Sequence, residues 1–285
     1  MRAVSVSGRW VWGLSGLVTA VALAIPGTRL IVSAGVPGPS YAQPQETVTR
    51  TLTVPQPVTS LTVHSYGAPV QVAAGTTRRV RVTETLMYNQ QAGGPPSVTQ
   101  SLSGGHLGLA DPACATTDCA VSFAVTVPPD VTVAVATEGG PVTVSGTAGA
   151  SLDSGSGPVI ARRIGGPLTV STGGGPLLLD GLAGALRADT GGGSVSAGGV
   201  AAATAVVITG GGPAQIAFSV TPETVTLSTD GGSALLAVPG GPYALAADSE
   251  GGPEQVGIAT DPAARRSITV SSGGGPLQIE PSAGP

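Results

Sequence analysis

Nucleophiles, general bases and metal ligands are sparse in this 285-residue chain. The only cysteines are Cys114 and Cys119, and the only histidines are His64 and His106. Two cysteines with four residues between them can close a small disulfide loop in an oxidising compartment or contribute to a metal site. No third or fourth ligand lies near them, so a Cys114–Cys119 disulfide is expected and no metal site. His64 alternates outward between Val63 and Ser65, and His106 falls in a Gly-rich loop. Neither accompanies a nucleophile motif, and both are expected at the surface. Asp153, Asp189 and Asp248 recur at one outward position of a repeat, in distant copies, rather than as the close pair that glycoside cleavage uses. Arg162–Arg163 and Arg265–Arg266 fall in turns, where they are expected to be solvated. Gly173–Gly174–Gly175 lacks the Lys-Ser/Thr and following helix of a phosphate loop, and no nine-residue calcium-binding period is present. The chemistry-bearing residues therefore predict no catalytic constellation and no cofactor. A net charge of −4, with only 10% charged residues, argues against nucleic-acid binding.

What would have to position any functional residue is an internal repeat. With the residue after a Gly-rich turn taken as position zero, the zero positions are Pro141, Pro158, Pro176, Ser194, Pro213, Ser233, Pro253 and Pro276. Their spacing grows from 17 to 23 residues, and the residue before each is Gly. Six and eight positions before zero, and one and three after it, the side chains are apolar, Glu254 excepted. Apolar residues at period two mark strands with one buried face. Four positions before zero, every copy has Ser or Thr (Thr137, Ser154, Thr172, Thr190, Thr209, Thr229, Ser249 and Ser272). Their parity predicts that they point inward at the corner and bond to each other or to turn backbone. The invariant Gly is expected to supply either a positive φ or room for close backbone approach. A ninth copy fits Leu61, Val63, Ser65, Pro69, Val70 and Val72, with residues 73–132 inserted after it. A two-strand unit cannot bury its own apolar face, so the expected fold class is all-β, a β-solenoid or β-helix-like stack of two-strand repeats. A closed sandwich of antiparallel hairpins is the alternative. Gly (45) and Pro (25) form about a quarter of the chain, a level read as disorder only where no period accompanies it.

These residues are similar to a known family. The strand–Gly-turn–strand repeats, the leading apolar segment and the cysteine-containing stretch running into Val121-Ser122-Phe123-Ala124-Val125-Thr126-Val127-Pro128-Pro129 resemble the bacterial "putative adhesin" β-strand-repeat domain of unknown function, in its exported actinobacterial type. The resemblance spans about residues 46–281 and implies an extracytoplasmic β-solenoid-like fold without established catalytic residues. Family members usually carry Gly-Asp at the turn, where this chain mostly has Gly-Pro. All 12 basic residues are Arg, as a GC-rich genome favours.

The N-terminal segment sets the expected location. Arg2 and Arg9 precede an uncharged stretch from Trp10 to Thr28, apolar to Ile25, intermediate between a signal peptide and a spanning helix. The positive-inside rule keeps these arginines cytoplasmic and sends the C-terminal bulk of the chain outward. Residues 1–34 are thus expected to be a signal or membrane anchor, 35–58 an extended Pro-rich linker and 59–281 the β-repeat domain. The protein is expected to be anchored in the cell membrane through this N-terminal helix, or secreted.

The expected function is non-enzymatic: a cell-envelope protein presenting a rigid β surface for adhesion or assembly to an unknown envelope partner. The alternatives are a glycan-active β-helix enzyme and a structural spacer without partner. Ile160 and Leu178, outward aliphatics in adjacent repeats, are a candidate interaction patch packed against the inserted segment or a second molecule, which leaves homo-oligomerisation open; isolated surface aliphatics are the alternative.

Overall fold

The structure is a computed structural model that describes residues 45–89, 94–111 and 119–282. The expected N-terminal helix lies outside these residues. Among the described residues, no helix is long and apolar enough to cross a membrane.

The described residues belong to one compact unit. Its strands are β1 (Gln45–Val54), β2 (Ser60–Ser65), β3 (Val70–Ala74), β4 (Val80–Asn89), β5 (Thr99–Ser103), β6 (His106–Ala110), β7 (Ala120–Val127), β8 (Thr132–Thr137), β9 (Val142–Ser145), β10 (Gly149–Ser154), β11 (Val159–Arg162) and β12 (Leu168–Thr172). They continue as β13 (Leu177–Asp180), β14 (Leu186–Thr190), β15 (Val195–Val200), β16 (Thr204–Thr209), β17 (Ala214–Phe218), β18 (Thr224–Thr229), β19 (Ala234–Val238), β20 (Ala244–Asp248), β21 (Glu254–Val256), β22 (Ser267–Ser271) and β23 (Leu277–Pro281).

From β8 onward, successive strands alternate between two sheets. From β10 to β17 each pairs in parallel with the strand two earlier and two later, as Leu152 does with Val135 and Val170. Every repeat therefore contributes one strand to each sheet, and the apolar columns of both sheets fill one aliphatic core. This pairing excludes the alternative in which sequential strands form antiparallel hairpins.

The stacking order departs from the chain order at both ends. The sheets run β1-β4-β7-β3-β9-β11-β13-β15-β17-β19-β23-β21 and β20-β22-β18-β16-β14-β12-β10-β8-β2-β6-β5. The first coil, β2–β3, lies between β6–β7 and β8–β9. The last coil, β22–β23, lies between β18–β19 and β20–β21. The segment 73–132 is therefore no interruption: β6 and β7 make a further coil, and β4 extends one sheet antiparallel to β7. Of the expected linker at 35–58, residues 35–44 lie outside the described residues and the part that follows is corrected. Gln45–Val54 is a ten-residue strand paired antiparallel with β4 along its whole length, because its alternating Thr, Val and Leu suit a sheet more than an unpaired tether. Glu254 breaks the apolar column because β21 is an outermost strand, exposed throughout.

The corner columns explain the turns. Every Ser or Thr of the expected column is buried. Each bonds the backbone of the glycine three residues on: Gly157 and Gly193 N–H donate to Ser154 Oγ and Thr190 Oγ1 at 3.0 and 2.9 Å, and Ser249 Oγ donates to the Gly252 carbonyl at 2.7 Å. That glycine is required for close approach rather than for its φ. A Cβ on Gly193 would lie 2.1 Å from the Gly175 carbonyl oxygen, and one on Gly175 would lie 2.1 Å from that of Gly157. The same column places Gly252 against Gly275 and Gly275 against Gly232, which independently marks the exchanged order of the last two coils. Proline is tolerated at zero because the ladder there uses its carbonyl, as Val142 N–H donates to Pro158 O and Val159 N–H to Pro176 O.

Candidate functional site

A concavity bearing several titratable side chains lies where the Ser/Thr column meets the N-terminal coils. It encloses about 410 Å³ and is lined by His64, Tyr66, Asp111, Glu138 and Asp153 among others. Strand register builds its floor: His64 pairs with Ala136, and Ala136 with Asp153. At about 4.8 Å per strand, His64 and Asp153 stand roughly 10 Å apart across a methyl-lined gap. Tyr66 and Glu138 follow directly on β2 and β8 and form the rim, with Tyr66 53% exposed.

Asp111 anchors this corner. Its strand continues the repeat template, since Leu61 and Val63 pair with Leu107 and Leu109. Asp111 consequently takes the place where the other coils carry Ser or Thr. Its carboxylate accepts from Tyr66 N–H at 3.0 and 3.1 Å and from Ser65 Oγ at 3.1 Å, while its own N–H donates to the His64 carbonyl at 3.1 Å. Burial raises its pKa above the usual carboxylate value, and Glu138 adds to the rise; the bonds from Tyr66 and Ser65 oppose it. Asp111 thus holds the β2–β3 turn that presents Tyr66. The sequence carried a signal for this residue, Leu107-x-Leu109-x-Asp111, in which an acid replaces the corner hydroxyl.

The expected surface residues do not converge on a reaction centre. His64 is exposed, while its neighbour Ser65 points into the core. His106 begins β6 rather than sitting in the preceding glycine turn, and its Nδ1 lies 2.9 Å from Ser60 Oγ. That pair is exposed, and among the described residues the imidazole has no carboxylate partner to orient it, as a hydroxyl nucleophile would need. Asp189 stands two strands along from Asp153, about 10 Å away with Ser171 between them, and Asp248 lies much farther along the stack. Both arginine pairs are exposed. Among the described residues no group of His, Cys, Asp and Glu is disposed to hold a metal ion. Cys119 is disulfide-bonded; its expected partner Cys114 lies outside the described residues.

Ile160 and Leu178 are directly paired on the outer face of the larger sheet. Leu178 is 41% exposed and Ile160 partly so. The described strands of the inserted segment extend the sheets edgewise. Leu235, in the same column three coils later, stands between Gln215 and Gln278 and does not extend the patch.

No protein-family model matches the chain, and no curated protein matches it. Solved structures that are similar include a "putative adhesin" from Parabacteroides distasonis ATCC 8503, with 11% identity, 82% of this chain and 97% of that chain covered, and a TM-score of 0.47. Another "putative adhesin", from Bacteroides fragilis NCTC 9343, has 14% identity over 82% of this chain and 97% of that one, with a TM-score of 0.43. A "putative lipid binding protein" from P. distasonis ATCC 8503 has 10% identity over 82% and 96%, with a TM-score of 0.41. The source organisms are not actinobacteria.

Proposed function

We propose that the chain is a non-enzymatic extracytoplasmic protein of the cell envelope, attached through residues 10–25 or released from them. In this reading the parallel coils form a β-solenoid that presents a rigid surface for adhesion or assembly. The observation that carries it is the state of the acid–base groups. Asp111, the partly buried carboxylate of the cleft, is occupied by the protein's own backbone and hydroxyl. The remaining candidates are spread over neighbouring coils of a scaffold whose corners are fixed by one hydroxyl–glycine contact per repeat. Such a surface holds side chains at set intervals and offers no water-excluded pocket for chemistry.

The cleft beside Tyr66 and the Ile160–Leu178 pair are its two contact points, one polar and one apolar. Purified full-length chain should co-sediment with envelopes isolated from its source bacterium. Tyr66→Ala and the double change Ile160→Thr/Leu178→Thr should each weaken retention without lowering the melting temperature. Equal retention of all three proteins would remove these contact points, and absence of retention would leave a spacer. Release of reducing sugar from envelope polysaccharide would replace the proposal with the glycan-active alternative.

A further inference from the structure

The two sheets expose four edge strands: β1, β21, β20 and β5. Three of them are short, with 3, 5 and 5 residues. An exposed edge carries a row of unpaired N–H and C=O groups, and shortness is one ordinary way to keep it from recruiting other chains; proline, lysine and bulges are others. β1 is neither short nor interrupted by proline, lysine or a bulge, and its two charges are of opposite sign. It runs ten residues, Gln45-Glu46-Thr47-Val48-Thr49-Arg50-Thr51-Leu52-Thr53-Val54, and its register against β4 is unbroken from Gln45↔Asn89 to Val54↔Val80. No described strand lies on its other side.

The charges on this strand are self-complementary. Glu46, Val48 and Arg50 share one face, opposite Tyr88, Leu86 and Glu84 of β4. Two copies of β1 laid antiparallel about a two-fold axis at Val48 place Glu46 opposite the second copy's Arg50, and Arg50 opposite its Glu46. Val48 then meets Val48, and Thr47 meets Thr49 on the other face. Sliding by four residues sets Arg50 against Arg50 or Glu46 against Glu46; sliding by two sets each charge against an aliphatic or Pro44. A shift of one residue turns the faces over. One register alone therefore sets each charge opposite one of the other sign, with Glu46 also accepting from the Tyr88 hydroxyl of its own protomer at 2.7 Å; directly opposed residues on antiparallel strands have Cβ atoms about 4.5–5.5 Å apart. The axis stands perpendicular to the sheet, so the core-facing side of one copy continues into that of the other.

We infer that β1 is a docking edge for a second copy of this chain, joining two protomers through an isologous β1–β1 pair with Glu46–Arg50 contacts at either side of Val48. Isologous two-fold contacts of this type close on themselves and give dimers rather than filaments. The inference is independent of the proposed envelope role.

The test uses full-length chain in mild detergent. Sedimentation velocity should show a dimer. Arg50→Glu places like charges opposite each other twice and should weaken dimerisation at least about tenfold. Glu46→Arg/Arg50→Glu restores opposite charges and should restore the dimer; circular dichroism verifies that each variant is folded. Val48→Cys should form an intermolecular disulfide on mild oxidation, above the level of the parent chain. Thr51→Cys, which in this register lies about 20 Å from its counterpart, should not. A monomeric parent at all concentrations, a charge-swapped double variant that stays monomeric, or equal crosslinking at positions 48 and 51 would each overturn the inference.

Discussion

Between Thr132 and Val238 each coil rests on the one that precedes it in the chain, whereas at either end one coil sits out of turn. The middle is built by repetition. Its hydroxyl, glycine and apolar columns recur because every coil sees the same two neighbours. The ends must also close the core. At the N-terminal end β4, β1 and β5 take over from the repeat, and the buried Glu84 of β4 accepts from Gln100 Nε2 of β5 at 2.6 Å, linking the two sheets across the opening. At the C-terminal end, the buried Tyr243 donates from its hydroxyl to the Pro239 carbonyl at 2.6 Å, and burial raises its phenol pKa. Repetition thus governs where two neighbours exist, and individual side chains govern where one is missing.

Substitutions can break this contrast. The largest effect is expected in the glycine column of the middle. Gly193→Ala forces a Cβ onto the Gly175 carbonyl and should cost about 3 kcal/mol in chemical denaturation. Gly192→Ala next to it, with open space around the new Cβ, should be nearly silent. Gly252→Ala meets the Gly275 carbonyl at 2.5 Å and should cost less than Gly193→Ala, because the outermost coil can yield outward. Equal penalties for Gly193→Ala and Gly252→Ala would mean that the ends are as rigid as the middle.

The hydroxyl column ranks next. Thr190→Val leaves the Gly193 N–H without its acceptor in a buried site and should lower stability by about 1–2 kcal/mol. Ser249→Ala, at the less enclosed end, should cost less than half of that in the same titration. Glu254→Val restores the apolar column on a strand exposed throughout, so it should change stability by no more than about 0.5 kcal/mol. A large gain would show that β21 is covered in solution.

The smallest effect concerns pH. The folded-state pKa of Asp111 is raised by burial, so between the unfolded and folded values the folded chain holds more protons. Its contribution is therefore greatest in acid and declines as pH rises through the folded value. Asp111→Asn keeps an acceptor for Tyr66 N–H and removes the titration. The melting temperature of the parent relative to Asp111→Asn should fall as pH rises from the acid side of the carboxylate range; a rise would reverse the sign assigned to burial.

Much of the fold was legible because a column depends only on period and parity. Thr190 could be placed at a buried corner from its distance to Gly193 alone. Coil order was not legible in the same way: a coil presents identical columns to any neighbour, so nothing in Leu245 or Ile268 states which of them lies next to Val225. Two traces were present, the charge at Glu254 and the 23-residue spacing from Pro253 to Pro276. Asp111 was hidden because its coil lies across a long insertion from the series it joins. Of the cleft, His64 and Asp153 could be assigned to the outward surface, but their nearness depends on the insertion of β2 between β6 and β8, which is a tertiary fact.

The displaced last coil has a consequence for how the chain is made. During synthesis β20 and β21 emerge before β22 and β23, yet in the finished domain they have no partner except those later strands. A ribosome that has delivered everything up to Arg266 has delivered a ladder with a vacant rung, in which β18 and β19 end in open edges and the next two strands lack their final partners. Completion of both sheets therefore waits for β22 and β23. A chain cut short by this final segment lacks the two strands that join β20 and β21 to the rest of the sheets.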